Sequence, residues 1–167
     1  MLSLVTPHLQ LESILELKIE RLRSLGFDGL LLDLDCTLKD YPDNGFRREV
    51  MDWVQTLSSN GIILCILSNA RPRRIEPLAR ELKIPFVAQA FKPFPFGCRI
   101  AMRRLQLNPQ QTALVGDQLF SDILAGRLAG LFTILVRPTS PEEPLFTRVK
   151  RPLERQVLRW INGRRMQ

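Results

Sequence analysis

The sequence predicts an α/β fold built on a five-stranded parallel sheet with helices on both faces. Short apolar runs alternate along the chain with segments of helical periodicity, which is the pattern of parallel strands joined by crossover helices. Runs such as 29–33 and 62–67 are typical of strands buried on both faces. The length of 167 residues suits one domain with a sizeable core.

Turn and cap residues separate the predicted elements. Asn60-Gly61 ends the first helix of the core, and Pro95 stands near the first turn of a later one, where proline is tolerated. The predicted strands are 29–33, 62–67, 86–90, 113–116 and 132–136, and the predicted helices are 46–59, 74–82, 95–107 and 119–128.

The single domain, 1–167, divides into three parts. Residues 1–27 are predicted as a helical lead-in, because Leu11, Ile14 and Leu22 fall near helical spacing and Gly26 stops the pattern. Residues 28–137 form the predicted catalytic core. Residues 138–167 are predicted as a proline-containing connector, through 149, and a basic C-terminal helix.

Composition excludes several classes of protein. Cys36, Cys65 and Cys98 are spaced too widely for a CxxC metal or redox motif, which predicts reduced thiols. The single histidine, His8, argues against a His-ligated zinc site and a Ser-His-Asp triad. No apolar run approaches the roughly 18 residues that a membrane span needs, and the N-terminal segment does not resemble a secretory signal.

Positive charge is concentrated at the C-terminal end. The formal net charge is +7, and residues 148–167 carry +6 of it. A basic tail suits an anionic surface, whereas a solvated C-terminal helix is the alternative interpretation. Phe146 and Trp160 are the only aromatic residues near or in this tail, which argues against nucleic acid as a partner. The anionic partners that suit the tail are lipid headgroups, an acidic protein and, less well, nucleic acid. Of these, we predict peripheral contact with anionic phospholipid.

Chargeable or hydroxyl side chains follow four of the five predicted strands. In an open parallel sheet, the carboxyl ends of neighbouring strands line one edge, where ligands bind. A single acid at a strand end can simply cap the next helix, but four successive strand ends make a specific pattern. The residues are Asp33, Asp35 and Thr37, then Ser68 and Asn69, then Lys92, and finally Asp117 and Asp122.

The acidic residues suit a magnesium site and a nucleophile. Asp33, Asp117 and Asp122 form a set of hard oxygen ligands, which favours Mg²⁺ beside a phosphate. The metal and Lys92 would offset the negative charge of the phosphate. A carboxylate can then attack phosphorus and form an aspartyl-phosphate.

The other polar residues supply the remaining steps of phosphate-ester hydrolysis. Asp35 is placed to protonate the leaving alcohol and then to activate water. Thr37, Ser68 and the backbone amide of Asn69 can hydrogen-bond the phosphoryl oxygens. Each of these residues alone has a structural explanation, but together they predict a phosphatase site.

At these residues the sequence resembles the haloacid dehalogenase-like (HAD) phosphatases, which implies a Rossmann-like fold. By this resemblance Asp33 is the nucleophile and Asp35 the acid/base. Mg²⁺ is held by Asp33, the Asp35 carbonyl and Asp117, with Asp122 in support. The matching segments, in family order, are Asp33-Leu-Asp35-Cys-Thr37, Leu67-Ser68-Asn69, Lys92 and Gly116-Asp117-Gln-Leu-Phe-Ser-Asp122.

A narrower resemblance is to the YqeG branch, carried by residues 92–93, 116–119, 133–136, 147–148 and 151–155. That branch is similar to phosphatidylglycerophosphate phosphatases, which implies a phospholipid substrate at a membrane surface. Cys36 stands where the branch usually has Asn, and Ala70 where a second Asn is common.

The spacing of the motifs leaves no room for a large cap domain. Only 30 residues separate Thr37 from Ser68, and only 23 separate Ser68 from Lys92. We therefore expect an open site, covered at most by the turn 40–45. Such a site suits a bulky substrate better than a small sugar phosphate that must be sealed from water.

The sequence thus predicts a Mg²⁺-dependent phosphomonoester hydrolase that acts on phosphatidylglycerophosphate. It is expected to be cytoplasmic and peripheral at the inner face of a membrane. One alternative is a phosphatase of phosphoproteins or nucleic-acid ends. The other is a non-catalytic module that docks through its basic tail, against which the intact acidic and lysine positions argue.

Overall fold

The computed structural model describes residues 2–142 and 145–165. The strands are β1 Leu9–Leu11, β2 Gly29–Leu32, β3 Ile63–Leu67, β4 Phe86–Val87, β5 Thr112–Gly116 and β6 Phe132–Val136. The helices are α1 Ile19–Ser24, α2 Arg48–Ser59, α3 Pro72–Leu82, α4 Phe96–Leu105, α5 Leu124–Leu128 and α6 Leu145–Arg165. A π-helical turn, Leu119–Ile123, leads into α5.

All strand pairs in the sheet are parallel, in the order β1-β6-β5-β2-β3-β4. The chain runs outward from β2 to β3 and β4 on one side, and later to β5 and β6 on the other. The strand order therefore reverses direction at β2, and ligands bind at such switch points in α/β sheets.

The side chains of each strand alternate between two cores. Leu30 and Leu32 of β2 join a cluster that includes Trp53 of α2 and Ile75 of α3. Leu31 points to the opposite face and joins a cluster that includes Cys98 of α4. Because both faces are covered, the central strands β2 and β3 are apolar throughout. The predicted α/β class with helices on both faces is confirmed.

The sheet has six strands where the sequence predicted five. The additional strand, β1, lies in the segment predicted as a helical lead-in, where Leu9 pairs with Ile134 and Leu11 with Val136. Three residues are too few to show the alternating pattern of a strand in the sequence. The strand forms because its pairing with β6 satisfies backbone groups of β6 that would otherwise lie at an open edge.

Helix α6 begins within the predicted connector 138–149. It starts at Leu145 and continues through Pro152. Thr147, Arg151 and Ile161 are buried, so the helix packs on the domain along part of its surface. The predicted basic tail, 148–167, reaches beyond the described residues at its end.

The described ranges contain no cap domain, and α2 is the main element between β2 and β3. Among the helices of these ranges, none is long and apolar enough to cross a membrane.

Candidate active site

Two aspartates follow adjacent strands in the centre of the sheet. Asp33 comes directly after β2, and its backbone N–H donates to the Val115 carbonyl of β5 at 2.9 Å. Asp117 comes directly after β5. Carboxylate oxygens of Asp33, Asp117 and Asp122 all lie within 4.8 Å of one another, and all three residues are buried. The structure therefore brings these three acids together, as the sequence predicted.

The turn after β5 brings Asp122 back to the sheet. The backbone N–H of Gln118 donates to Asp122 Oδ2 at 3.0 Å, which holds the carboxylate at the start of the turn. A Cβ on Gly116 would overlap the Asp122 carboxylate. Glycine at 116 therefore permits the close approach of Asp122 to the strand end.

Lys92 joins two of the three carboxylates. Its Nζ donates to Asp33 Oδ1 at 2.5 Å, to Asp122 Oδ1 at 2.6 Å and to the Leu67 carbonyl at 2.9 Å. These partners use all three donors of the ammonium group. Lys92 is 7% exposed, so these are buried ion pairs in which the charges compensate each other's desolvation.

Burial shifts the acid–base properties of this cluster. Burial raises the pKa of Asp33 to about 7, although Lys92 acts in the opposite direction. Burial also raises the pKa of Asp117 well above its usual value, against the effect of Arg151. For Lys92, burial alone would lower the pKa, but the charges of Asp122 and Asp33 more than offset it, and the pKa is raised.

Asn69 fixes the backbone that carries Lys92. Its Nδ2 donates to the Lys92 carbonyl at 2.9 Å, and its Oδ1 accepts from the Lys92 N–H at 2.8 Å. Ser68 is buried, and its Oγ accepts from the Ala70 N–H at 3.2 Å. The Asn69 side chain thus orients Lys92. The sequence predicted a role only for the backbone amide of Asn69.

Asp35 and Thr37 face different partners. The Asp35 carboxylate accepts two hydrogen bonds from Arg74, at 2.6 and 2.7 Å, and lies 3.3 Å from Lys39 Nζ. Thr37 Oγ1 donates to Asp117 Oδ1 at 3.4 Å. The Asp35 side chain therefore lies outside the group formed by the three carboxylates. The Thr37 side chain contacts that group through Asp117.

The sequence did not indicate Arg151 and Glu154 as site residues. The Arg151 guanidinium pairs with the Asp117 carboxylate, and Nη1 also donates to the Asp117 carbonyl at 2.6 Å. Glu154 accepts from Arg151 Nη1 at 3.2 Å and from the Phe120 N–H at 2.9 Å. The available signals were the resemblance of residues 151–155 to the YqeG branch and one acid three residues after an arginine in a basic helix.

The donor set fits a hard divalent cation. Three buried carboxylates face two cations, Lys92 and Arg151. The group therefore holds more negative than positive charge when all the acids are ionised. Oxygen ligands of this kind are those that Mg²⁺ prefers.

A parallel α/β sheet with this aspartate–lysine group at its central strand ends defines a class of hydrolases. The chain belongs to the haloacid dehalogenase-like hydrolase family, which matches residues 5–130. It is 31% identical over 147 residues to the probable phosphatase YqeG of Bacillus subtilis (strain 168), covering 88% of this chain and 86% of that protein. The chain is therefore a phosphatase of this family, and its resemblance to the YqeG branch is confirmed.

Two further comparisons concern a lipid phosphatase and the fold. The chain is 31% identical over 175 residues to phosphatidylglycerophosphate phosphatase 1, chloroplastic, of Chlamydomonas reinhardtii, covering 96% of this chain and 64% of that protein. The cobalt-bound deoxy-D-mannose-octulosonate 8-phosphate phosphatase YrbI of Haemophilus influenzae has a similar fold. Its TM-score is 0.56 at 19% identity, over 76% of this chain and 75% of that one.

Proposed function

We propose that this phosphatase hydrolyses the phosphomonoester of an anionic phospholipid, phosphatidylglycerophosphate, with Mg²⁺ as its cofactor. One observation carries the proposal. The Asp33 carboxylate is held by Lys92 beside two further buried carboxylates, at the strand edge where α/β proteins bind ligands. The likeness to a phosphatase named for phosphatidylglycerophosphate supports the choice of substrate.

The proposed reaction has two steps. A carboxylate oxygen of Asp33 bonds to phosphorus while the bond from phosphorus to the lipid oxygen breaks, and Asp35 gives that oxygen a proton. Water then attacks phosphorus, Asp35 takes a proton from the water, and the bond to Asp33 breaks. Inorganic phosphate leaves, and both aspartates return to their starting states.

Asp33, Asp117 and Asp122 would hold the metal, which supplies positive charge to the phosphate oxygens. Lys92 keeps Asp33 in place and adds a second positive charge. Both Asp35 oxygens accept hydrogen bonds from Arg74, and Lys39 lies beside them, so Asp35 must take up a proton and turn away from Arg74 before it acts as the acid. The buried Thr37 hydroxyl orients Asp117.

The test is phosphate release from a panel of substrates with Mg²⁺ and with EDTA. The panel contains phosphatidylglycerophosphate in mixed micelles, a 5′-phosphorylated oligonucleotide, a phosphopeptide and a sugar phosphate. We expect the lipid to give the highest kcat/KM and EDTA to stop the reaction. A higher kcat/KM for the phosphopeptide or oligonucleotide would overturn the proposed substrate, and no turnover of any substrate would indicate a non-catalytic module.

The nucleophile is tested with Asp33→Asn, which keeps the size of the side chain. We expect phosphate release to fall by at least about 10⁴-fold, since the amide cannot form the covalent intermediate. Asp28→Asn is the matched control, because Asp28 is an exposed acid just before β2. Normal turnover by Asp33→Asn would exclude Asp33 as the nucleophile.

A further inference from the structure

Four exposed apolar side chains lie in and after the loop that carries Lys92. We call them the aromatic patch: Phe91, Phe94, Phe96 and Ile100, which are 64%, 57%, 55% and 38% exposed. The rings of Phe94 and Phe96 stack with centroids 5.9 Å apart. Grouped apolar exposure of this kind marks interaction surfaces, whereas single exposed apolar residues are ordinary.

The aromatic patch borders the candidate active site. Phe91 directly precedes Lys92, whose Nζ contacts Asp33. Phe91 and Phe94 also line a hollow of about 290 Å³ together with Asn69 and Lys92. A partner surface in contact with the rings of Phe91 and Phe94 would therefore lie beside the Asp33 carboxylate, the proposed nucleophile.

The backbone presents these side chains on a firm support. Gly97 lies so close to Ala90 that a Cβ at 97 would overlap the Ala90 backbone, which fixes the start of α4 against the loop. Along α4, the exposed residues Phe96, Arg99 and Ile100 fall on one helical face. The patch thus combines apolar and cationic side chains on one element.

The chain segment that carries the aromatic patch is basic. The 35 residues between Glu81 and Asp117 contain no acid and five bases. Arg99, Arg103 and Arg104 of α4 are exposed. Aromatic and basic side chains together suit the interface of an anionic bilayer, where rings enter the headgroup region and each base near the surface adds about 1 kcal/mol.

We propose that the aromatic patch docks this phosphatase onto an anionic phospholipid bilayer, so that lipid phosphates meet the site containing Asp33. The inference rests on the proposed function, because it assumes a substrate that resides in a bilayer. It assigns docking to this patch rather than to the basic tail. Helix α6 instead directs Arg151 and Glu154 into contacts with the β5 turn.

The test is co-sedimentation with phosphatidylglycerol vesicles and with phosphatidylcholine vesicles, neither of which carries a phosphomonoester that the enzyme could hydrolyse. We expect the wild-type chain to bind the anionic vesicles. Phe94→Ser/Phe96→Ser should bind them at least about tenfold more weakly, since two rings no longer leave water. The control, Val149→Ser/Leu153→Ser, removes two exposed apolar side chains from α6 and should bind like wild type.

Several outcomes would overturn the inference. These are absence of vesicle binding by the wild type, equal binding by Phe94→Ser/Phe96→Ser, or an equal or larger loss in the α6 control. A wild-type dimer that the Phe variant dissociates would instead identify a protein interface. If the double variant does not fold by circular dichroism, Phe96→Ser is measured, and a loss of about threefold is expected.

The two proposals fail separately. Vesicle binding is measured without turnover, so a negative result leaves the hydrolysis by Asp33 in place. Conversely, absence of phosphate release from any lipid would overturn the proposed function while vesicle binding could still be observed.

Discussion

The two halves of the site pair an aspartate with a buried cation in different ways. Asp33, after β2, is paired with Lys92 from the loop that follows β4. Asp117, after β5, is paired with Arg151 from α6, 34 residues further along the chain. The aspartates lie side by side on adjacent strands, but their cations come from distant parts of the fold.

The difference shows that Lys92 is part of the sheet edge, whereas Arg151 couples helix α6 to that edge. Lys92 contacts two carboxylates, and Asn69 fixes its backbone, so its position depends on neighbouring strand ends. Arg151 contacts only Asp117 of the three acids, and Glu154 supports it while binding the Phe120 N–H. We therefore expect Lys92 to affect both catalysis and stability, and Arg151 to affect mainly the stability of the metal-free site.

Of the two cations, Lys92 should give the larger effect when it is replaced. Lys92→Met leaves Asp33 and Asp122 buried without their shared cation, so the free energy of unfolding should fall by about 3–5 kcal/mol. Phosphatase activity should fall by about 10³-fold, since a positive charge beside the reacting group is lost. Activity assays and urea denaturation measure both changes.

The control for this variant is Lys83→Met, which alters an exposed lysine at the end of α3. It should change neither property appreciably. If Lys92→Met kept activity within about tenfold of wild type, the catalytic half of the comparison would be wrong.

Replacing Arg151 should affect stability in EDTA more than it affects catalysis. Arg151→Met leaves Asp117 buried without its cation, so the metal-free protein should lose about 3 kcal/mol. Added Mg²⁺ should restore part of the lost free energy of unfolding, because the metal is proposed to bind Asp117. The restored fraction should be larger for Arg151→Met than for Lys92→Met. Urea denaturation with EDTA and with Mg²⁺ measures the difference.

Arg155→Met is the matched control on α6, since Arg155 is exposed. Stability of Arg151→Met equal to wild type in EDTA would show that α6 is not coupled to the site through this pair.

The pH dependence should be the smallest effect. Burial raises the pKa of Asp33 from the usual aspartate value of 3.8 to about 7. The folded chain thus binds this proton more tightly than the unfolded chain, and unfolding releases it between these values. Stability in EDTA should therefore fall as pH rises from about 5 to about 7, with a slope of up to about 1.4 kcal/mol per pH unit.

Thermal unfolding across this pH range, in EDTA, measures the slope. Asp33→Asn should reduce the slope, although Asp117, whose pKa is also raised, still contributes to it. Asp28→Asn should leave the slope unchanged. A slope that was the same in all three proteins would show that the pKa of Asp33 is not raised in the folded chain.

The strand-end residues were predictable because the rule that places them is general. Parallel strands bring their carboxyl ends to one edge, so Asp33, Lys92, Asp117 and Asp122 could be expected to meet without knowledge of any contact. The order of the motifs then identified the family. Their chemical roles remain predictions.

Other features depended on contacts that a sequence pattern does not encode. Arg151 is one of several arginines in the tail, and only the packing of α6 distinguishes it from its exposed neighbours. The pairing of Asp35 with Arg74 likewise joins residues 39 positions apart. Strand β1 was missed because its stability comes from pairing with β6 rather than from its own three residues.

The origin of Arg151 has a consequence for synthesis of the chain on the ribosome. The sheet edge that holds Asp117 is translated 34 residues before its guanidinium partner. A nascent chain that lacks α6 has Asp117 without its arginine partner, so protonation, a metal ion or solvent must compensate its charge. Helix α6 therefore acts late in biogenesis, and stalled translation products that lack it should be targets for cellular proteases.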